Sequence, residues 1–133
     1  MHIVKGYYLT LDSPNNRAQY ALAIEQLAPG RFRLGIGPTG ETQAVQTYGA
    51  NYCKPLTQIR EYLTVLRTLL YEGAVDFVGE HVTARSSLRT PVRIPLLASA
   101  AGLRAFELCG ELSDGAIPWV APKRYSVERR TER

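Results

Sequence analysis

The stretch P-G-R-F-R-L-G-I-G-P-T-G-E, residues 29 to 41, decides how this chain is interpreted. Pro29-Gly30 predicts the end of a helix. Phe32, Leu34 and Ile36 then alternate with arginine and glycine, which predicts a short strand. The glycines that follow allow a tight turn or the close approach of a ligand. Because ligands meet parallel sheets at the carboxyl ends of strands, this turn is a candidate binding loop.

The same stretch also fits the spacing G-x-G-x-x-G, from Gly35 to Gly40. That spacing is the fingerprint of dinucleotide-binding folds, but it requires a helix that opens at the third glycine. The residues after Glu41, T-Q-A-V-Q-T-Y-G, are a poor helix start. A small doubly wound nucleotide-binding protein is therefore a minor alternative, which requires an open, flat sheet.

Composition indicates one globular domain. The chain has 133 residues, of which 45% are hydrophobic and 21% charged, as in ordinary soluble proteins. It contains no apolar run long enough to span a membrane and no N-terminal leader pattern. Cys53 and Cys109 lack metal-ligand spacing, so we expect reduced thiols, no bound metal and a cytoplasmic protein.

The net charge of +4 is concentrated at the C-terminus. Lys123 to Arg133 hold five basic and two acidic side chains, which leaves the rest of the chain nearly neutral. Aromatic residues for base stacking are not interleaved with these charges. We therefore expect no nucleic-acid partner, and we treat 123–133 as a basic polar tail.

Strand-like and helix-like segments alternate along residues 1–122. The predicted strands are Ile3 to Leu11, Arg31 to Gly37, Ile94 to Ala98 and Ala116 to Val120. The predicted helices run from Ser13-Pro14 to Pro29, from about Ile59 to Gly73, and from Leu103 to Leu112. Val75 to Thr83 alternates like a small hairpin or an extended excursion. This order predicts a parallel sheet with crossover helices.

The second helix carries the strongest amphipathic pattern in the chain. Ile59, Leu63 and Leu66 belong to its apolar stripe. Arg60, Glu61, Thr64 and Arg67 are predicted to lie on the opposite, solvated face. The long connection before this helix, residues 38–54, is unusual for a compact domain and is more often functional than idle.

Five segments in order resemble the luciferase-like monooxygenase superfamily: G-R-F-R-L-G-I-G, R-E-Y-L-T-V-L-R-T-L-L-Y-E-G, V-D-F-V-G-E-H, I-P-L-L-A-S-A-A-G and S-D-G-A-I-P-W. The resemblance implies a TIM-barrel oxidoreductase that transfers hydride between FMN, or the deazaflavin coenzyme F-420, and a small organic substrate. T-G-E at 39–41 and P-W-V-A-P at 118–122 favour the deazaflavin branch.

The resemblance covers only the central portion of such an enzyme. A TIM barrel needs about 250 residues and eight strands. We therefore expect an α/β fold that is a partial (β/α)8 barrel, with about four parallel strands and three crossover helices. The family's usual catalytic histidine lies in strands that this chain lacks, so no catalytic residue is assigned. The alternative is a non-catalytic half-barrel that folds or dimerises without chemistry.

The resemblance and the small residues at the strand ends imply a cofactor site with two parts. One part is the loop Thr39, Gly40 and Glu41, expected near the deazaflavin ring. The other is Ser99, Ala100, Ala101 and Gly102, where small residues at a strand end open a helix whose N–H groups suit a phosphate. A solvated loop and a close strand-to-helix turn without ligand are the respective alternatives.

Open strand edges and an apolar inward face predict a homodimer if the chain is soluble, and the alternative is a marginal monomer that aggregates. The inward face is expected to carry Tyr7, one of Leu34 and Ile36, and one of Leu96 and Leu97.

Other polar residues receive no functional assignment. His81 lies in a polar excursion, where a lone histidine is usually structural. Arg85, Arg89 and Arg93 have the spacing of a phosphate clamp, but an exposed loop with scattered charge is the favoured interpretation.

Overall fold

A computed structural model describes residues 2–5, 13–37, 45–46, 54–100 and 102–118. Within these ranges the chain forms six strands and three helices. The strands are β1 (His2–Lys5), β2 (Phe32–Ile36), β3 (Ala74–Val78), β4 (Thr83–Ser87), β5 (Leu96–Ala100) and β6 (Gly115–Pro118). The helices are α1 (Pro14–Leu27), α2 (Pro55–Glu72) and α3 (Leu103–Leu112).

Four of these strands form one parallel sheet in the order β1-β2-β5-β6. Val4 is paired with Leu34, Leu34 with Leu96, and Ser99 with Ile117. Neighbours in the sheet therefore follow their order along the chain, as in a (β/α) barrel. A doubly wound sheet reverses its strand order at a switch point, so this order rules out the doubly wound alternative.

Most helix ends lie at the residues that the sequence marks, but α2 begins at Pro55, four residues before its predicted start. The Ser13 hydroxyl accepts the N–H of Asn16 at 3.1 Å, and Pro14 occupies the first helical position of α1. Gly73 ends α2 in a left-handed conformation with φ of 84°. α2 packs against both α1 and α3, so the helices form one layer, as the strand order predicts.

The core lies between this helical layer and one face of the sheet. Alternate residues of β2 and β5 point into it, and the buried stripe of α2 meets them. The buried sheet residues are Phe32, Leu34, Ile36, Leu96, Ala98 and Ala100, and those of α2 include Leu63, Leu66, Leu69 and Leu70. Each large aliphatic side chain buried here contributes roughly 1.5–3 kcal/mol.

The other face of the sheet corrects one expectation about the inward side of the barrel. Leu34, Ile36 and Leu96 all point toward the helices and are at most 2% exposed. Leu97 alone of the described candidates faces away from them and is half-buried. Tyr7 lies outside the described residues. Gly35, in β2, and Gly37, just after it, alternate with the buried Leu34 and Ile36 and therefore lie on the inward face. That face is less apolar than predicted because these two residues have no side chain.

The predicted excursion is an antiparallel hairpin that extends further than expected. β3 pairs with β4, with Asp76 opposite Arg85, and the hairpin packs on α1 and α2. The prediction stopped at Thr83, where the second strand begins. Its sequence, T-A-R-S-S, is too polar to show an apolar alternation, and cross-strand pairing stabilises it instead.

The third strand of the parallel sheet is displaced from its predicted position. We predicted Ile94 to Ala98, whereas β5 runs from Leu96 to Ala100. Pro95 has no N–H to donate to a sheet, which delays the start of the strand. Small residues at its end fit under α3, where the Cys109 thiol lies 3.4 Å from the Ala98 carbonyl oxygen.

Candidate functional site

The carboxyl ends of β2, β5 and β6 meet at one edge of the sheet. They end at Ile36, Ala100 and Pro118, and α3 begins at Leu103, three residues beyond the end of β5. In (β/α) barrels, ligands bind at this edge on the loops that follow the strands. The candidate site is therefore built from the strand ends and the start of α3.

Gly37 and Ser99 pack directly against each other at this edge. A Cβ atom added to Gly37 would lie 2.1 Å from the Ser99 hydroxyl oxygen and 2.7 Å from its Cβ. Only glycine at position 37 therefore leaves room for the Ser99 side chain. Ser99 alternates with the buried Ala98 and Ala100, so its side chain lies on the face away from the helices, which is the inward face of a barrel.

The start of α3 offers free backbone donors beside this pair. Gly102 is the N-cap residue in an extended conformation, and no side chain caps the helix. Its carbonyl oxygen accepts the N–H of Phe106 at 3.0 Å, while the N–H groups of the first turn have no helical partner. A Cβ added to Gly102 would meet nothing within 4 Å, so the approach to these donors is open.

The structure separates the predicted site residues into different positions. Ser99 points to the inward face, and Gly102 opens α3. Ala100 belongs to β5, is 2% exposed and points toward the helices, so its side chain is turned away from that face. Thr39, Gly40, Glu41 and Ala101 lie outside the described residues. Ser99 and Ala100 were predicted in a turn and lie in the strand instead.

The burial of one carboxylate, that of Glu61 in α2, was not predicted from the sequence. Glu61 was placed on the solvated face of α2, but it is only 9% exposed. Its two carboxylate oxygens accept the backbone N–H groups of Glu80, His81 and Val82 at 2.6, 2.7 and 2.9 Å. The turn of the hairpin is thus wrapped around one side chain of α2, a contact that helical periodicity does not reveal.

The surroundings of Glu61 keep it ionised. Burial raises the pKa of its carboxyl group, but the three backbone donors and the nearby His81 outweigh burial and leave that pKa below its usual value. Lys54 at the start of α2 also pairs with Glu80 at 2.6 Å. His81 contributes its backbone N–H to this contact, which agrees with the structural role expected for it.

A second polar cluster lies at the opposite end of the strands. Asp114 accepts the N–H of Leu96 at 2.9 Å, and the Tyr71 hydroxyl lies 2.8 Å from both the Asp114 carboxylate and the Ile94 carbonyl oxygen. Burial and Asp114 raise the pKa of Tyr71 to about 12. This cluster joins α2 to the starts of β5 and β6, and we assign it to stability because it is remote from the binding edge.

The described residues contain neither a metal centre nor a membrane-spanning helix. Over these ranges, no cluster of three or more histidine, cysteine, aspartate or glutamate side chains has the arrangement of a cation site. In the same part of the chain, every helix is too short or too polar to cross a bilayer. Cys109 is a buried free thiol, and burial raises its pKa to about 11, so it is unreactive at neutral pH.

The carboxyl edge of the sheet also carries a hydroxyl group without a partner among the described residues. The Ser99 hydroxyl makes no hydrogen bond to any residue the structure describes, although it is partly buried at the strand end. The N–H groups at the start of α3, which begins at Leu103, lie four positions further along the chain. An inward hydroxyl and a helix start thus lie at the same edge, and a Cβ added to Gly102 would meet no atom of the described residues within 4 Å.

The sequence of the chain is similar to the sequences of known oxidoreductases. A sequence profile of the luciferase-like monooxygenase family matches residues 7–133. The 5,10-methylenetetrahydromethanopterin reductase of Archaeoglobus fulgidus is 31% identical over 120 residues, which are 88% of this chain and 36% of the reductase. The F-420-dependent glucose-6-phosphate dehydrogenase of Beutenbergia cavernae is 30% identical over 110 residues, 78% of this chain and 32% of that enzyme.

A solved structure agrees with these sequence relatives. An F-420-dependent secondary alcohol dehydrogenase, determined with an F-420–acetone adduct, superposes with a TM-score of 0.67 at 27% identity. The match covers 79% of this chain and 34% of the dehydrogenase. The chain thus spans about a third of the length of the curated relatives it matches.

Proposed function

The chain belongs to the luciferase-like monooxygenase family, and from that premise we propose that it is the coenzyme-binding part of an F-420-dependent oxidoreductase. The coenzyme supplies the hydride chemistry when it is bound, and a small organic substrate exchanges hydride with it. FMN is the second candidate coenzyme, because the family resemblance includes both. F-420 is favoured because the two dehydrogenases described above are F-420-dependent by name.

One observation carries the proposal: Gly37 packs on Ser99 at the carboxyl edge of the parallel sheet, and Gly102 opens α3 three residues after Ser99. Two of them have no side chain, and Ser99 offers an inward hydroxyl. We propose that the N–H groups at the start of α3 bind the coenzyme phosphate. Ser99 then hydrogen-bonds the part of the coenzyme or substrate above the sheet, and the loop of Thr39, Gly40 and Glu41 lies nearer the ring.

Titration of the chain with coenzyme F-420, and separately with FMN, tests this function through ligand fluorescence. Gly102→Val should weaken F-420 binding by about 1–3 kcal/mol, because the branched side chain blocks donors that otherwise bind the phosphate. The open space around Gly102 means that this loss cannot be attributed to a clash in the protein. Thr90→Val, on an exposed loop, is the matched control and should bind normally.

Two results would change the proposal in different ways. Unchanged affinity in Gly102→Val moves the phosphate site elsewhere but leaves the oxidoreductase function standing. A folded chain that binds neither coenzyme supports the alternative, a half-barrel without chemistry.

We also propose that two copies associate through their sheets. β1 and β6 are edge strands of the described sheet, and each leaves a row of backbone groups without a sheet partner. Two four-stranded sheets related by a twofold axis supply the eight strands of a closed barrel. Leu97 and Ile117, both half-buried on the inward side, would be covered in such a dimer.

A further inference from the structure

A pocket opens at the amino-terminal ends of β2 and β5, on the side of the molecule opposite the candidate coenzyme site. Its volume is about 350 Å³, which is within the range of small-molecule sites. It is lined by Glu25, Gly30, Arg31, Phe32, Arg33, Arg93 and Pro95. Three arginines and one glutamate therefore line this pocket.

The single carboxylate does not neutralise these arginines. Glu25 uses an oxygen to accept the N–H of Gly30 at 2.8 Å, across the turn between α1 and β2. Over the ranges that the structure describes, Arg31 and Arg33 form no ion pair and no side-chain hydrogen bond. The pocket thus presents two guanidinium groups whose charge is not balanced within that part of the chain.

Arg93 is held in place beside them. Its guanidinium lies 4.2 Å from the centre of the Tyr71 ring, and one of its nitrogens lies 3.7 Å from the Asp114 carboxylate. Stacking on an aromatic ring fixes the plane of a guanidinium and leaves its outer N–H groups available. Arg93 is therefore a positioned donor, whereas Arg31 and Arg33 are free to close on a ligand.

We infer that the pocket lined by Arg31, Arg33 and Arg93 binds a small phosphate-bearing anion, at a site distinct from the coenzyme site. Arginine forks bind phosphate and carboxylate in a bidentate manner. Three guanidinium groups offer more donors than the four lone pairs of one carboxylate accept. A pyrophosphate or phosphate ester, with more oxygens and more charge, matches this set better than a carboxylic acid.

The ends of the helices provide the competing explanation for these arginines. α1, α2 and α3 all end on this side of the sheet, and the partial negative charge of helix C-termini attracts cations. That attraction accounts for the presence of basic residues here, but it does not require a pocket. Binding of an anion separates the two explanations.

Isothermal titration of the full chain with inorganic pyrophosphate tests the inference, with succinate as the dicarboxylate comparison. We expect saturable pyrophosphate binding that weakens when the salt concentration rises, and weaker binding of succinate. Arg31→Gln and Arg33→Gln should each weaken pyrophosphate binding by about tenfold or more, the usual scale for a charge-assisted hydrogen bond. Arg89→Gln, an exposed arginine outside the pocket, should bind normally.

Other outcomes overturn the inference. Absence of saturable pyrophosphate binding would mean that the arginines interact only with the partial negative charge of the helix C-termini. Binding that survives both pocket substitutions but is lost in Arg104→Gln, at the start of α3, assigns the pyrophosphate to the coenzyme site instead. Since Arg31 and Arg33 are exposed, thermal melting should confirm that the variants remain folded.

Discussion

At the scale of single residues, the closest packing at the binding edge is between Gly37 and Ser99. We predict that Gly37→Ala destabilises the chain by about 1–3 kcal/mol, because the new methyl group occupies the place of the Ser99 side chain. Chemical denaturation measures this loss. Adding Ser99→Gly to the Gly37→Ala variant should restore most of the stability, since it removes the clashing atoms.

Gly102→Ala is the matched control for that substitution. It adds the same methyl group in open space at the same edge, with a backbone conformation that alanine adopts readily. Its stability should fall by only about 0.5 kcal/mol, because alanine is a poorer N-cap residue than glycine. Equal losses in Gly37→Ala and Gly102→Ala would show that the contact with Ser99 is unimportant.

Glu61 makes the stability of the hairpin dependent on pH. Its pKa in the folded chain lies below the usual value, so the stabilisation is present at neutral pH and is lost as the pH falls below about 4.5. We predict that Glu61→Gln costs about 2 kcal/mol at pH 7, because three buried N–H groups lose a charged acceptor. It should also flatten the decline of stability between pH 5 and 3.

Urea unfolding across this pH range provides the measurement. Glu80→Gln is the control, since the Glu80 side chain is exposed and pairs with Lys54 at the surface. A Glu61→Gln variant as stable at pH 7 as the control variant would mean that the hairpin turn does not depend on this carboxylate.

At the scale of elements, the cluster of Tyr71 and Asp114 joins α2 to β5 and β6. We predict that Tyr71→Phe costs about 1 kcal/mol, a modest value because the Asp114 side chain is 36% exposed. The Tyr71 pKa of about 12 lies above the unfolded value of about 10. Its contribution should therefore be complete below pH 10 and disappear between about pH 10 and 12.

Tyr20→Phe tests whether this effect belongs to the cluster. Tyr20 is 60% exposed on α1, and the loss of its hydroxyl should leave stability unchanged. Spectrophotometric titration of the tyrosines should also lose its latest component in Tyr71→Phe. If that component persists, the high pKa belongs to a tyrosine other than Tyr71.

Elements with a strong local signal were predictable, and those fixed by distant contacts were not. α3 begins and ends at its predicted residues, and Gly73 ends α2 as expected, because periodicity and end signals are local. β4 is polar and is held by its pairing with β3, so its sequence alone was uninformative. The end of β5 followed from its register with β2 and β6, which sequence spacing does not contain.

In the candidate site, too, the features with a local sequence signal were predictable and those that depend on distant contacts were not. Ser99 and Gly102 were predicted from small residues near a strand end and a helix start, and both lie at the expected edge. The partnership of Ser99 with Gly37 depends on two strands that are far apart in sequence, so no local pattern indicated it. Glu61 was misassigned for a related reason, since its partners belong to the turn of a hairpin beyond the end of its helix.

At the scale of the whole molecule, the two edge strands of the described sheet lead to a prediction about association. We predict a homodimer, with a sedimentation mass of twice 14.8 kDa. Leu97→Asp should convert it to monomers, because a charge on the inward face cannot be buried without a partner. Val78→Asp, at a position that is 76% exposed on the hairpin, should leave the dimer intact. A soluble monomer throughout the micromolar range would contradict the prediction.

The separation of β2 from β5 along the chain also bears on the order in which the molecule folds. These strands are neighbours in the sheet, yet β2 ends at Ile36 and β5 begins at Leu96, with α2 and the hairpin between them. Their pairing closes a long loop, which has a high entropic cost and slows folding. β3, β4 and the preceding helix instead make contacts over short separations. We therefore expect the hairpin and α2 to form the nucleus, and the parallel sheet to be completed last.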